Sequence, residues 1–191
     1  VNLVKPSPYW MLSLGANILA LFIFGYGVLF VEDVSRPQFN FTIANTLFYI
    51  AALAQYLFCK SLNQPISNRF DLLAKISVIP FFIVFETLRQ FTNFETRTSF
   101  IVILILLMFS FQILEIHRFK KRESSHQLTY MQIATGVELF FALSRMIILI
   151  AGAFSIQKVD QLPQLLIFVT VAQLVANTIA YIAIGSYWTE K

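Results

Sequence analysis

The sequence predicts an all-α integral membrane protein: one bundle of six transmembrane helices with both termini in the cytoplasm. Hydrophobic residues make up 58% of the chain and charged residues only 13%, whereas ordinary soluble domains carry about 25% charged residues. The apolar residues also form continuous runs, most of them near the ~20 residues that a helix needs to cross the ~30 Å hydrocarbon core. Continuous runs indicate helices, because the strands of a membrane β-barrel alternate over segments of about ten residues.

The six apolar runs define the predicted helices, and short polar segments separate them. The connections read SRPQFN, NQPISNRFD, FTNFETRT, HRFKKRESSH and QKVDQLP. None is long enough to be a folded extramembrane domain, so residues 1–191 are predicted to form a single domain. Pro80 lies inside the third helix and predicts a kink, because proline lacks one backbone donor. The predicted helices cover residues 9–31, 41–61, 72–91, 99–116, 128–156 and 163–188.

The placement of Lys and Arg predicts the orientation, because cytoplasmic loops carry an excess of these residues. The two termini, the second loop and the fourth loop together carry nine of the 14, the opposite side carries four, and Arg145 lies within the membrane. Both termini are therefore predicted to be cytoplasmic. Tyr and Trp residues at the start of the first helix and the end of the sixth form an aromatic belt on that side. The nine cytoplasmic cations are Lys5, Lys60, Arg69, Lys75, Arg118, Lys120, Lys121, Arg122 and Lys191.

Two charged residues, Glu138 and Arg145, interrupt the apolar fifth helix. Their spacing is two helical turns, so both side chains lie on one stripe, about 10 Å apart along the axis. An ion inside the membrane costs at least about 2.5 kcal/mol on insertion scales, so such a residue faces a partner or a cavity. The predicted topology places Glu138 slightly to the cytoplasmic side of mid-membrane and Arg145 slightly to the outer side.

Polar residues of four other helices fall at a similar level in the outer half of the predicted bundle. Two interpretations stay open: these groups satisfy one another, or they line a ligand cavity open to the outside. Arginine suits bidentate recognition of a carboxylate, so Arg145 would face an anionic or polar group. For Arg97 the alternative is an interface anchor, and for Tyr49 it is packing. The predicted ligand-binding residues are Arg145, Asn45, Glu86, Gln173, Asn177, Glu138, Tyr49 and Arg97.

The sequence carries no pattern typical of catalysis or cofactor binding. It has no phosphate-binding glycine loop, no nucleophile–base pairing and no metalloenzyme motif. Its single cysteine, Cys59, excludes an internal disulfide. His117 and His126 flank the basic loop, where a solvated role is expected. We therefore predict no catalytic residue in this chain, no cofactor, no metal and no nucleic-acid partner.

Several stretches carry a family resemblance, among them Asn45 early in FTIANTLFYIAALAQYLFCKSLNQ, Arg97 at the start of the fourth helix and Arg145 in ELFFALSRMI. With the last helix, LPQLLIFVTVAQLVANTIAYIAIGSYWTEK, they make the chain similar to the amino-terminal membrane region of bacterial diguanylate cyclases of the GGDEF class and of some sensor histidine kinases. The resemblance implies a sensor domain in the bacterial inner membrane that binds a small hydrophobic or amphiphilic molecule. It also implies signalling through the sixth helix to a dimeric cytoplasmic output domain after Lys191, a diguanylate cyclase that makes cyclic di-GMP.

An alternative function is a small transporter or channel-like protein. In that case Glu138, Arg145 and Glu86 would line a path across the bundle. A membrane enzyme acting on lipid is disfavoured, because the sequence offers no catalytic constellation.

Overall fold

The computed structural model describes residues 7–29, 38–123, 125–151 and 164–189, and it is helical, with no strand in those ranges. The all-α class is therefore confirmed. The seven helices are α1 (Pro8–Leu29), α2 (Asn40–Asn63), α3 (Asn68–Ile76), α4 (Val78–Phe91), α5 (Phe94–Lys120), α6 (His126–Ala151) and α7 (Gln164–Thr189). The ends predicted at residues 31, 156 and 163 lie outside the described residues, as do Lys5, Arg36, Lys158 and Lys191.

Five of these helices are long and apolar enough to cross a membrane. They are α1, α2, α5, α6 and α7. Large apolar side chains on their outer surfaces are exposed, for example Phe22, Phe140 and Phe168. A soluble protein rarely exposes contiguous apolar surface on this scale. The described helices therefore fit a multi-pass membrane protein.

The third predicted helix differs from the prediction, because the structure has two short helices, α3 and α4, in its place. They meet at Ser77, which keeps helical dihedral angles of φ −60° and ψ −18°. Pro80 accounts for the interruption, since it has no N–H to donate to the carbonyl of Ile76 and its ring crowds that carbonyl. With nine and 14 residues, neither helix alone has the ~20 residues of a membrane span. The interruption thus lies at Ser77, three residues before Pro80.

Helix α5 is longer than the predicted segment 99–116 at both ends. Asn93 precedes it in an extended conformation, and its side-chain oxygen accepts a hydrogen bond from the backbone N–H of Thr96 at 3.0 Å. Such a cap satisfies one of the free donors at a helix start. At the other end, His117, Arg118 and Lys120 lie in the last turn, where cations are favourable beside the helix carboxyl terminus.

The long helices form a ring in which each packs against its neighbour in the order α1, α2, α5, α6, α7. Helix α4 lies against α2 and α5. Among the described helices α1 and α7 are not a closely packed pair, and polar side chains bridge the seam between them. One apolar cluster, around Phe58, Ile116, Leu128 and Met131, fills one end of the ring. Farther along, the interior of the ring also contains buried polar side chains, among them Gln55, Glu138 and Gln173.

Contacts between helix ends place several basic segments together at that same end of the bundle. Tyr9 at the start of α1 donates to Asp71 of α3 at 3.0 Å. Asn63 at the end of α2 donates to the backbone carbonyl of Glu115 in α5 at 2.7 Å, and Arg122 donates to the carbonyl of Asn63 at 3.1 Å. The loops grouped on one side by the sequence therefore lie on one side of the described helices.

Candidate ligand cavity

A polar stripe on α7 faces the interior of the ring. It consists of Gln173, Asn177 and Tyr181, which are spaced four residues apart and so share one face of the helix. Gln173 and Tyr181 are buried, and each of the three side chains is hydrogen-bonded to a neighbouring helix. The stripe therefore attaches α7 to the rest of the bundle by polar contacts.

Arg145 of α6 meets the first residue of this stripe. Its Nη1 donates to Gln173 Oε1 at 3.0 Å, whereas its Nε is buried without a hydrogen-bond partner. No carboxylate of the described residues forms an ion pair with it. Arg145 is thus a cation held by a neutral amide, and its buried Nε–H is an unused donor.

Glu138, two turns earlier on α6, is fully buried and meets the second residue of the stripe. Its Oε1 accepts from Asn177 Nδ2 at 2.6 Å, and its Oε2 has no partner. The Oδ1 atom of Asn177 in turn accepts from Asn17 Nδ2 of α1 at 2.8 Å. Because α6 and α7 run in opposite directions, α7 presents one amide to each charge. The two charged side chains are therefore held separately.

The third residue of the stripe, Tyr181, bridges α7 to α1. Ser13 Oγ donates its single proton to the carbonyl of Ala51 on α2 at 2.7 Å. The hydroxyl of Tyr181 therefore donates to Ser13, whose Oγ lies 2.5 Å and whose carbonyl oxygen lies 3.2 Å away. Ser13, which is fully buried, links three helices at one point.

A cavity of about 120 Å³ lies beside the stripe, bounded by α1, α2, α5, α6 and α7. A water molecule occupies about 30 Å³ in the liquid, and an apolar cavity of about 150 Å³ holds benzene. The space is thus large enough for a small organic molecule. One part of its wall is polar and another is aromatic and aliphatic. The polar lining consists of Asn17, Asn45, Gln55, Arg145, Thr170, Gln173, Asn177 and Tyr181.

Four of the predicted ligand-binding residues, Arg145, Asn45, Gln173 and Asn177, line this cavity. Asn45 uses its amide nitrogen within its own helix, where it donates to the carbonyl of Phe41 at 2.7 Å. Glu138 is not in the cavity wall but is bonded to Asn177, which is. The structure thus brings five of the eight residues together.

Glu86 and Arg97 lie away from the cavity wall. Glu86 accepts from Thr42 Oγ1 at 2.6 Å and from Arg89 Nε at 2.8 Å, so it joins α2 to α4. Arg97 is buried and donates to the carbonyl of Thr92 at 2.7 Å and to that of Arg89 at 3.3 Å. It thereby satisfies free carbonyls at the end of α4.

Tyr49 also lies outside this cavity and has a packing role in the structure. Its ring stacks on that of Phe81, with 4.3 Å between the centroids. Its hydroxyl is hydrogen-bonded to Ser77 Oγ at 3.0 Å. Tyr49 therefore holds the junction between α3 and α4 against α2.

Four polar residues of the cavity wall are not among the predicted ligand-binding residues: Asn17, Gln55, Thr170 and Tyr181. Gln55 is 2% exposed, and its Nε2 has no hydrogen-bond partner. Each is an isolated polar residue in an apolar run, which is a usable indication, since polar groups in a membrane face a partner or a cavity. The sequence does not give the rotation of each helix about its axis, and this rotation determines whether a polar residue faces the cavity.

Comparison of the chain with known proteins finds no match to any protein family, curated protein or solved structure. The resemblance to diguanylate cyclase sensor regions therefore stays a prediction.

Proposed function

We propose that this bundle is the signal-sensing domain of a bacterial membrane receptor. A small molecule occupies the cavity and changes how α7 is held, and α7 passes that change to a cytoplasmic output domain after Lys191, a diguanylate cyclase. One observation carries the proposal: three α7 side chains that line the cavity also attach α7 to its neighbours. They are Gln173, Asn177 and Tyr181.

The mechanism follows from this double use. A ligand that accepts a hydrogen bond from Arg145 shares the guanidinium with Gln173 and can change the position of that contact, and a ligand beside Asn177 alters the contact from α1 to α6. Such a ligand has different affinities for two positions of α7, and it shifts the population toward the position that it binds more tightly. A shift from 1:99 to 99:1 requires a difference in affinity of about 10⁴-fold, so a ligand with a smaller difference between the two positions shifts the population only in part.

The distribution of basic residues supports a cytoplasmic location for both termini. Described basic residues such as Lys60, Arg118 and Arg122 belong to the end of the bundle where α2 and α5 finish, and cytoplasmic loops are rich in Lys and Arg. In the proposed receptor, α7 then leaves the inner membrane on the cytoplasmic side, and the output domains of two copies form the dimer.

The test attaches a diguanylate cyclase domain after Lys191 and measures cyclic di-GMP in cells. Insertion of one to four alanines at the junction should make the output rise and fall with the helical period of 3.6 residues, because α7 sets the orientation of the output domains. Gln173→Leu should shift the output at every insertion length. Thr178→Val is the matched control, since Thr178 is exposed on the same helix and bonds to its own backbone. A flat insertion profile together with an unchanged output in folded Gln173→Leu would contradict the proposal.

A transport path through Glu138, Arg145 and Glu86 has less support. Glu86 does not line the cavity and is engaged by Thr42 and Arg89. Flux of small solutes into proteoliposomes that contain the folded bundle distinguishes the two functions. Flux above that of empty liposomes, lost in Arg145→Gln, would contradict the sensor.

A further inference from the structure

We infer that the ligand of the cavity is a small monocarboxylate with an apolar body, bound through Arg145 and Gln55. The inference rests on the proposed sensing role of the cavity and adds the chemical class of the ligand. It follows from the unpartnered polar atoms in the wall, the absence of an acidic partner for Arg145 in the described residues, and the apolar remainder of the lining.

The two unpartnered polar atoms belonging to residues of the wall are both donors. They are Arg145 Nε and Gln55 Nε2, and neither has a hydrogen-bond partner. Gln55 is 2% exposed, so bulk water is not available to its amide. A buried donor without a partner is unfavourable, and a bound acceptor relieves it. The ligand therefore presents acceptors at this part of the wall.

Because Arg145 is positively charged, we expect the acceptor group of the ligand to be an anion. Its Nη1 contact is the neutral Gln173, and Glu138 is bonded to Asn177. Ion pairing stabilises a desolvated guanidinium more than a neutral acceptor does, and the planar fork of arginine matches a carboxylate in a bidentate geometry. One cation with one extra amide donor fits a single negative charge. A phosphate with two charges would require further cations, which the described wall lacks.

The rest of the wall determines the body of the ligand. Phe24, Phe48, Ile105 and Phe109 line the cavity opposite the polar stripe. A volume of about 120 Å³ is of the same order as the ~150 Å³ cavity that holds benzene, a molecule of six heavy atoms. A small carboxylate of about that size is therefore expected, and the slim chain of pentanoate makes it a suitable probe.

The binding experiment uses the chain in nanodiscs of uncharged phosphatidylcholine, with pentanoate as the ligand and 1-pentanol as its neutral analogue. Calorimetry should show saturable binding of pentanoate and at least tenfold weaker binding of 1-pentanol. A charge-assisted hydrogen bond accounts for roughly a tenfold or larger change. Equal binding of the two compounds, or no binding of pentanoate, would overturn the inference.

Single substitutions test whether pentanoate binds at Arg145 and Gln55. Arg145→Gln should weaken pentanoate binding at least tenfold and leave 1-pentanol unaffected, and Gln55→Leu should weaken pentanoate severalfold. Arg69→Gln is the matched control, because Arg69 is exposed and does not line the cavity. Circular dichroism verifies folding of each variant, and Gln55→Leu decides if Arg145→Gln does not fold. Full pentanoate affinity in a folded Arg145→Gln or Gln55→Leu protein would contradict the assignment.

The cyclase fusion separates this inference from the proposed function. Pentanoate that binds through Arg145 without changing cyclic di-GMP would overturn the sensing role and leave the ligand class standing. An output that depends on Gln173, in a protein that does not bind pentanoate, would overturn the ligand class and leave the sensor standing.

Discussion

Two acid–arginine pairs of the same composition behave in opposite ways in this molecule. Glu86 and Arg89 lie three residues apart on α4 and form an ion pair with two hydrogen bonds. Glu138 and Arg145 lie two turns apart on α6, and each binds an amide of α7 instead. Residues three apart on a helix touch, whereas two turns separate the side chains by about 10 Å along the axis.

The difference shows that the spacing of an acid and an arginine along a helix determines whether the arginine is neutralised within its own helix or can bind another group. In the α4 pair the acid neutralises the arginine, and the pair joins α2 to α4 through Thr42. In the α6 pair the two ions share a face and do not meet, so Arg145 retains an unused donor at the cavity. The first arrangement is structural. The second leaves a charge that a ligand can meet.

The largest effect is expected from removing Asn177, whose amide binds Glu138. Asn177→Leu leaves both Glu138 and Asn17 without the hydrogen bonds seen here. Each buried polar group left unpaired costs about 1–3 kcal/mol, so the loss of two such contacts should lower the free energy of unfolding by roughly 2–6 kcal/mol. Reversible unfolding in mixed micelles measures it. Thr178→Val, one residue along and exposed, should change little, and an equal loss in both variants would contradict the role of Asn177.

Replacing Arg89 should lower the stability of the protein, whereas replacing Arg145 should not. Arg89→Gln removes a partly buried ion pair and should lower the free energy of unfolding by about 1 kcal/mol. Arg145→Gln removes a cation without an acidic partner in the described structure and keeps an amide that can donate to Gln173, so stability should be unchanged or higher. The same micelle unfolding assay compares them. A destabilisation of Arg145→Gln as large as that of Arg89→Gln would show that Arg145 is structural.

The smallest effect concerns a third pair, Asp71 and Lys75, four residues apart on α3. The hydrogen bond from Lys75 Nζ at 2.6 Å, with a second from Tyr9, holds the pKa of Asp71 below its usual value. Because the pKa is lowered in the folded state, the stabilising contribution is present above the unfolded value of about 3.9. It is lost as the pH falls through the lower folded value.

Lys75→Met should therefore raise the pKa of Asp71 toward its ordinary value, since its main hydrogen-bond donor is gone. An NMR titration of the Asp71 carboxyl group follows the change. Lys121→Met serves as the control, because Lys121 is exposed and lies on α5's carboxyl-terminal cap. An Asp71 titration that is identical in the parent and Lys75→Met proteins would refute this contribution.

The sequence predicted the helices more completely than the site. Continuous apolar runs specify membrane-length helices by composition alone, and five described helices have that character. Pro80 predicted the interruption of the third segment but not that it falls at Ser77. The position of the break depends on tertiary contacts as well, since Tyr49 on α2 bonds to Ser77. The sequences of α3 and α4 alone do not indicate this contact with α2.

Part of the site could be predicted from the depth of each residue along the predicted spans. The part that depends on the rotation of each helix about its axis could not. Depth along the predicted spans placed Arg145, Gln173 and Asn177 at similar levels, and all three line the cavity. The same reasoning grouped Glu86 and Arg97 with them, although their hydrogen bonds lie at the α4 end and the α4–α5 junction. Both residues have local partners along their own or the adjoining helix. A polar residue with a possible partner only a few positions away can be recognised in a sequence, and such a pair indicates a local contact and not a place in the cavity wall.

The seam between α1 and α7 has a consequence for how the protein is made. Its two bridging contacts join residues 160 and 168 positions apart, and a chain is synthesised from its amino terminus. Asn17 therefore waits in the membrane for a partner that is translated 160 residues later, whereas Ser13 can already donate to α2. Contacts so distant in sequence also form slowly. Closure of the ring is thus the last step in the assembly of the described helices, and until α7 is inserted Asn17 lacks the partner that it has in the folded bundle.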